Sequence, residues 1–258
     1  MPHKALIFGH SHAWSLKRAI HAQTYVSSRP DYGVELLLCG TREFPGPLIS
    51  TGLNGYTAIN ACLIASLSAH PPSPETWLVS AVQGNYYNIV GMIRPEPNFD
   101  FVFPGAPHLP LDNDAELIPY DLVRQIFKDQ VEELGLLLKQ LPKLGHINIA
   151  HINAPPPIES EEFIREDLVG KGALDPQADK ISPAALRLKL WLAQKDVIGA
   201  LCRSLGVACI DAPVETQNER GFLREAFWKD AVHANEQYSA IILRELERSV
   251  FSRATANA

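Results

Sequence analysis

Lys4-Ala5-Leu6-Ile7-Phe8-Gly9-His10-Ser11-His12 is the stretch from which the fold is read. After Lys4 come four apolar side chains with no polar alternation, the pattern of a strand covered on both faces. Gly9 permits a sharp turn, and a helix-period run follows over His12–Thr24. The same unit recurs along the chain. Val34–Cys39, Thr76–Val82, His146–Ile152 and Gly206–Ile210 read as four further strands, none of which alternates cleanly. Between them lie helical patterns. One spans Tyr56–Ser68. A second starts at Asp121 and carries the stripe Val123, Phe127, Val131, Leu134, Leu138 and Leu141 up to Pro142. A third is signalled by Ser182 as N-cap and Pro183 at the first helical position, and runs to Gly206 through Leu186, Leu190, Ala193, Val197, Leu201 and Leu205. The last begins near Asn235 and buries Tyr238, Ile242 and Leu246. Strands alternating with helices predict an α/β protein: a three-layer α/β/α sandwich around a five-stranded parallel sheet, in one domain over residues 1–258.

Two stretches interrupt the alternation. Six prolines between Arg94 and Pro119 exclude a regular helix there, and Pro155-Pro156-Pro157 opens a second irregular stretch reaching about Ile181. Long loops are therefore expected near 86–119 and 153–181. Each follows a strand, so both lie over the carboxyl edge of the sheet, where open α/β sheets bind ligands. The charged run Glu159-Ser160-Glu161-Glu162 reads as a lid or wall.

Composition narrows the function. The 258 residues carry 23 Lys+Arg against 29 Asp+Glu, a formal net charge of −6, with 46% hydrophobic residues. That is a globular composition without a basic run, and it argues against a nucleic-acid partner. No apolar stretch reaches the ~18 residues that span a bilayer, and Met1-Pro2-His3-Lys4 leads into an apolar run too short for a signal peptide. Cys39, Cys62, Cys202 and Cys209 lie in apolar segments without CxxC spacing and read as buried thiols. The expectation is a cytoplasmic protein away from membranes; nothing indicates its oligomeric state.

Three segments carry candidate chemistry. Ser11 falls where strand passes into helix, its hydroxyl at the sheet edge and its N–H at the positive end of the helix dipole, a geometry that suits a nucleophile whose attack creates an oxyanion. Read alone, a serine at such a place is more often an N-cap. Asn85, in Ser80-Ala81-Val82-Gln83-Gly84-Asn85-Tyr86-Tyr87-Asn88, can project an amide over the same edge, although Gly84-Asn85 is also a turn pair. Asp230 and His233, in Trp228-Lys229-Asp230-Ala231-Val232-His233, are three apart, so the carboxylate can hold Nδ1–H and aim Nε2 at a hydroxyl.

Together these segments resemble the SGNH hydrolase superfamily, the GDSL-type esterases and lipases. Ser11 in Gly9-His10-Ser11-His12 matches the serine block, Asn85 the asparagine block, and Asp230-Ala231-Val232-His233 the Asp-x-x-His block before the last helix. For the glycine block Gly55 is the best candidate, with Gly52 and Gly40 as rivals. The chain departs from the family pattern at His10 (usually Asp), His12 (usually Leu), Gln83 (usually Gly) and Tyr86 (usually Asp). The resemblance implies a flavodoxin-like sheet and ester hydrolysis by a Ser11–His233–Asp230 triad, with an oxyanion hole from Gly55, Asn85 and the Ser11 N–H and no metal or organic cofactor. His10, His12, Tyr86 and Trp228 are the expected pocket residues, and the expected partner is a small ester, an acylated carbohydrate among the candidates. Three alternatives stay open: an O-acyltransferase on the same triad, a binding protein with a degenerate site, and a metal site from His10, His12 and His233 with Asp230.

Overall fold

The computed structural model describes residues 3–42, 44–51, 57–82 and 84–256. Its central sheet consists of β1 (His3–Gly9), β2 (Tyr32–Leu38), β3 (Thr76–Ala81), β4 (Asn148–Ile152) and β5 (Ala208–Ile210). All neighbours are parallel, in the order β2-β1-β3-β4-β5. This is the expected flavodoxin-like sheet, and its switch point lies between β1 and β3, where a crevice opens beyond the strand ends. Ala5, Leu6, Ile7 and Phe8 are sealed from solvent, which is why β1 shows no polar alternation. Gly9 faces Ala81 across the ladder. A Cβ at position 9 would fall 2.4 Å from the Ala81 carbonyl oxygen, so only glycine lets β1 and β3 close up at the switch point.

The helices are α1 (Ser11–His21), α2 (Ala61–Ser68), α3 (Tyr86–Gly91), α4 (Tyr120–Gln130), α5 (Glu132–Gln140), α6 (Glu161–Gly170), α7 (Ala184–Leu205) and α8 (Glu236–Ala256). α1 packs on α8 in one layer, while α3, α4 and α5 pack on α7 in the other. Among the described residues no helix is long and apolar enough to cross a membrane. All four cysteines are free thiols; Cys39 and Cys202 are buried, Cys62 and Cys209 partly accessible.

Beyond shifts of a few residues at element ends, the elements differ from the sequence reading as follows. The helix expected over Tyr56–Ser68 begins only at Ala61, because Thr57–Ile59 pairs antiparallel with Ile49–Thr51 and the Asn60 side chain then accepts from the Cys62 N–H as a cap. The helix expected from Asp121 is two helices that part at Val131, whose φ of −93° and ψ of 6° lie off the α region. Ser182 is not the N-cap of α7. Pro183 holds that place, so the helix starts one residue later. The stretch from Pro155 to Ile181 contains α6, capped by Ser160 Oγ accepting from the Phe163 N–H, with Glu161 and Glu162 in its first turn. The loop expected from 86 likewise opens with α3.

Beyond α3 the first loop closes on itself through a short parallel pair, Phe99–Asp100 with Glu116–Leu117, and buried cations on α7 tie both stretches down. Lys189 Nζ lies 2.5 Å from Asp100 Oδ1 and donates to the Pro110 carbonyl at 3.0 Å. Asp100 also accepts from the N–H groups of Phe101 and Asp112. Arg187 donates to the carbonyls of Ser182, Ile158 and Glu159. Burying such charges is tolerable because each meets several hydrogen-bonding partners.

Candidate active site

Ser11 is the first residue of α1, immediately beyond β1. The cap position belongs to His10, and no side chain caps the helix. The N-cap reading of Ser11 is therefore excluded: its hydroxyl is exposed and, among the described residues, makes no hydrogen bond, while its N–H is one of the unpaired donors of a helix N-terminus. One turn along α1, Ser15 Oγ donates to the Ala234 carbonyl at 3.2 Å, and beyond it Arg18 Nε pairs with Glu236 Oε1 at 2.5 Å. These bonds dock the first turns of α1 on the segment that carries His233.

His233 and Asp230 sit on a short antiparallel hairpin, Trp228–Asp230 with His233–Ala234, just before α8. His233 Nδ1 lies 2.9 Å from Asp230 Oδ1 and 3.1 Å from Oδ2. The same carboxylate accepts from the backbone N–H groups of Val232 at 3.0 Å and His233 at 2.8 Å. Burial by itself would raise the Asp230 pKa; the bonds from His233 and Val232, with the charges of His233 and Lys171, outweigh it and hold the carboxyl well below the ordinary aspartate range. The acid is thus ionised at neutral pH, and Nε2 of His233 is left as the free end of the ring.

Asn85 comes from the turn after β3. Its Oδ1 accepts from Asn88 Nδ2 at 2.9 Å, and its Nδ2 donates to the Val232 carbonyl at 3.2 Å. The first bond fixes which way the amide faces and the second uses one of its two N–H donors, leaving the other for a ligand. The turn is clamped from α7, where Gln194 donates to the Gly84 carbonyl and accepts from the Tyr87 N–H, both at 2.8 Å. Asn85 thereby bridges the β3 turn and the residue preceding His233.

A cavity of about 250 Å³ opens beside Ser11, lined by His10, His12, Asn85, Tyr86, Ile89 and Gln130 among others. Three of the four expected pocket residues, His10, His12 and Tyr86, are among its walls. Trp228 is not: its ring packs on Phe163 of α6 with centroids 4.9 Å apart, and its Nε1 donates to the Leu223 carbonyl. Trp228 opens the hairpin strand and packs toward α6. Gly55, the expected oxyanion glycine, lies outside the described residues, as does Gly52. Gly40 has φ +74° and lies near the His10 ring, but its N–H is engaged by the Phe44 carbonyl at 3.0 Å. His10 lies exposed by Gly40, whereas the His12 and His233 rings meet with centroids 5.8 Å apart. Among the described residues, no group of three or more His, Cys, Asp or Glu side chains is placed to hold a metal ion.

Sequence reasoning missed the support supplied by α6. Asp167 Oδ2 accepts from the Ala231 N–H at 2.9 Å, and Lys171 bonds Asp167 at 2.8 Å and lies 3.8 Å from Asp230. The run Ser160-Glu161-Glu162 is thus the start of a buttress under the acid. Its signal was the serine cap followed by acidic residues ahead of an apolar pair, Phe163-Ile164.

No family model matches the sequence, and no curated protein matches it. Solved structures do. The periplasmic domain of a lipopolysaccharide acetyltransferase from Salmonella ser. Paratyphi A is 14% identical and aligns over 97% of this chain and 84% of its own, with a TM-score of 0.52. Est24, a carbohydrate acetylesterase from Sinorhizobium meliloti, is 13% identical over 97% of this chain and 99% of its own, with a TM-score of 0.48. A GDSL-like lipase from Bacteroides thetaiotaomicron is 11% identical over 97% and 88%, with a TM-score of 0.44. At such identities the likeness speaks for the fold alone. With its parallel five-stranded sheet flanked by helices, the chain shares the α/β fold of that acetyltransferase domain.

Proposed function

We propose that the protein is a serine hydrolase that cleaves small carboxylic esters. The observation that carries the reading is the Asp230–His233 pair, oriented by four hydrogen bonds at the segment on which the first turns of α1, headed by Ser11, are docked. Ser11 Oγ attacks the ester carbonyl carbon while His233 Nε2 takes its proton, and Asp230 keeps Nδ1–H in place and balances the imidazolium. Return of that proton to the leaving alkoxide frees the alcohol and leaves an acyl-serine, which water cleaves in a second, mirrored step. The free N–H of the Asn85 amide, the Ser11 N–H and the Gly55 N–H are assigned to the oxyanion.

The cavity beside Ser11 has room for a short acyl group or a single sugar ring, so acetylated carbohydrates are the proposed substrates. Transfer of the acyl group to a sugar hydroxyl is the second reading, supported by the acetyltransferase domain that shares the fold. The free thiols support a reducing, cytoplasmic setting.

The test is hydrolysis of p-nitrophenyl acetate and of acetylated sugars by wild type and Ser11→Ala. A fall of about 10⁴-fold or more in kcat is expected, with fluorophosphonate labelling abolished. Equal rates would remove Ser11 as nucleophile and leave a binding protein. Acylated products formed in the presence of free sugar would favour transfer over hydrolysis.

A further inference from the structure

His12 has no part in the triad just described, yet it lies against its base. It is the second residue of α1, and its ring meets the His233 ring edge-on, at 61° with centroids 5.8 Å apart. The ring is lodged where a glycine makes room. A Cβ at Gly84 would fall 3.2 Å from His12 Nε2 and 3.1 Å from the Ala154 Cβ. Sealed there, Nε2 has no hydrogen-bond partner among the described residues. His151 of β4, wholly buried, has the same condition: its Nδ1 meets Ser80 Oγ at 3.2 Å and its Nε2 is sealed without a partner.

The charged and titratable groups around this pair come from four directions. Asp230 and Lys229 share the hairpin with His233; Asp167 and Lys171 approach from α6; Arg18 and Glu236 pair between α1 and α8; His151 faces His12 from the sheet. Asp230 occupies the Nδ1 side of the base. The position of the His12 ring matters because His233 gains a full positive charge during the reaction. The face of a neutral aromatic ring within ~6 Å attracts such a charge, and a second imidazolium would repel it. A sealed ring nitrogen without a hydrogen-bond partner resists protonation. Burial pushes the His12 pKa down to about 4, with the neighbouring His233 charge acting in the same direction against the opposing pull of Asp230.

We infer that His12 is a positioning residue for His233: its uncharged ring is the wall that holds the base opposite Asp230 and steadies the charge the base acquires. The inference rests on the serine-hydrolase reading for its catalytic consequence, but the ring contact itself is testable without substrate. His12→Leu keeps bulk and removes the ring; His12→Phe keeps a ring without nitrogens. In the leucine variant the His233 imidazole titration curve, followed by NMR, shifts toward lower pH by about half a unit, and kcat falls roughly 10-fold at unchanged KM. The phenylalanine variant holds the wild-type curve.

A leucine curve superimposable on wild type, or a phenylalanine curve displaced as far as the leucine one, overturns the inference. Should the leucine variant not fold, ¹⁵N shifts of the wild-type imidazoles decide: His12 staying neutral while His233 takes its proton supports the assignment, and the two titrating together refutes it. Because these curves contain no substrate, they remain readable if Ser11→Ala retains full hydrolysis, an outcome that would end the hydrolase reading alone.

Discussion

Asp230 and His233 are held by bonds made within four residues of one another, whereas Ser11 and Asn85 arrive from the ends of different strands and owe their places to the sheet. The hairpin would keep its carboxylate–imidazole pair almost wherever it was docked. The nucleophile side has no such local frame: the Ser11 hydroxyl makes no hydrogen bond among the described residues, and Asn85 is fixed by Asn88, Val232 and, through its turn, Gln194. A reaction needing both sides therefore depends on the few contacts that join them, chiefly Ser15 to Ala234 and Asn85 to Val232.

Asp230→Asn attacks the self-contained side and has the largest expected effect. The amide can still accept the backbone bonds but favours the wrong tautomer of His233, so kcat falls by about 10⁴ with little change in Tm. Asn85→Ala attacks the other side; losing one oxyanion donor lowers kcat by about 10²–10³, and KM for a short ester stays within a few-fold. A larger loss for Asn85→Ala than for Asp230→Asn in the same assay would invert the comparison.

The floor between the two sides is read by pH. His151 is held neutral down to about pH 4, chiefly by burial and further by the proximity of His12, while in the unfolded chain it takes a proton near its ordinary 6.5. The unfolded state thus binds more protons in that window. Stability is full above pH 6.5 and declines as pH falls toward 4, by roughly 3 kcal/mol from this residue. Below that range Asp230 adds its own loss, since its depressed pKa stabilises the fold only while the carboxylate stays charged. Urea unfolding at pH 7.5 and 4.5 measures the difference; His151→Phe removes this residue's share and leaves that of His12, whose pKa is lowered in the same way. The smallest effect is expected at the seam: Ser15→Ala removes the bond to Ala234 and costs about 1 kcal/mol, with a several-fold drop in kcat at constant KM.

What the sequence disclosed follows the same division. The five strands were legible because burial on both faces leaves continuous apolar runs, and Asp230–His233 because a three-residue spacing places the two side chains together in a single turn. The break at Val131 was not legible, since the stripe runs on through it from Phe127 to Leu134. Nor were Arg187 and Lys189, whose charges mark a solvent face in any periodicity argument and which here are buried because loop carbonyls and Asp100 receive them. Trp228 was misplaced for a related reason: nearness along the chain to Asp230 says nothing about which way an indole turns.

Arg187 and Lys189 stand two positions apart on one helix, yet each moors a different irregular stretch over the carboxyl edge. The two stretches consequently share a single spine. Exposed residues between the moorings, such as Pro104, Gly105, Pro107 and His108, are open to replacement by foreign sequence, while a change at either cation would slacken a whole stretch at once.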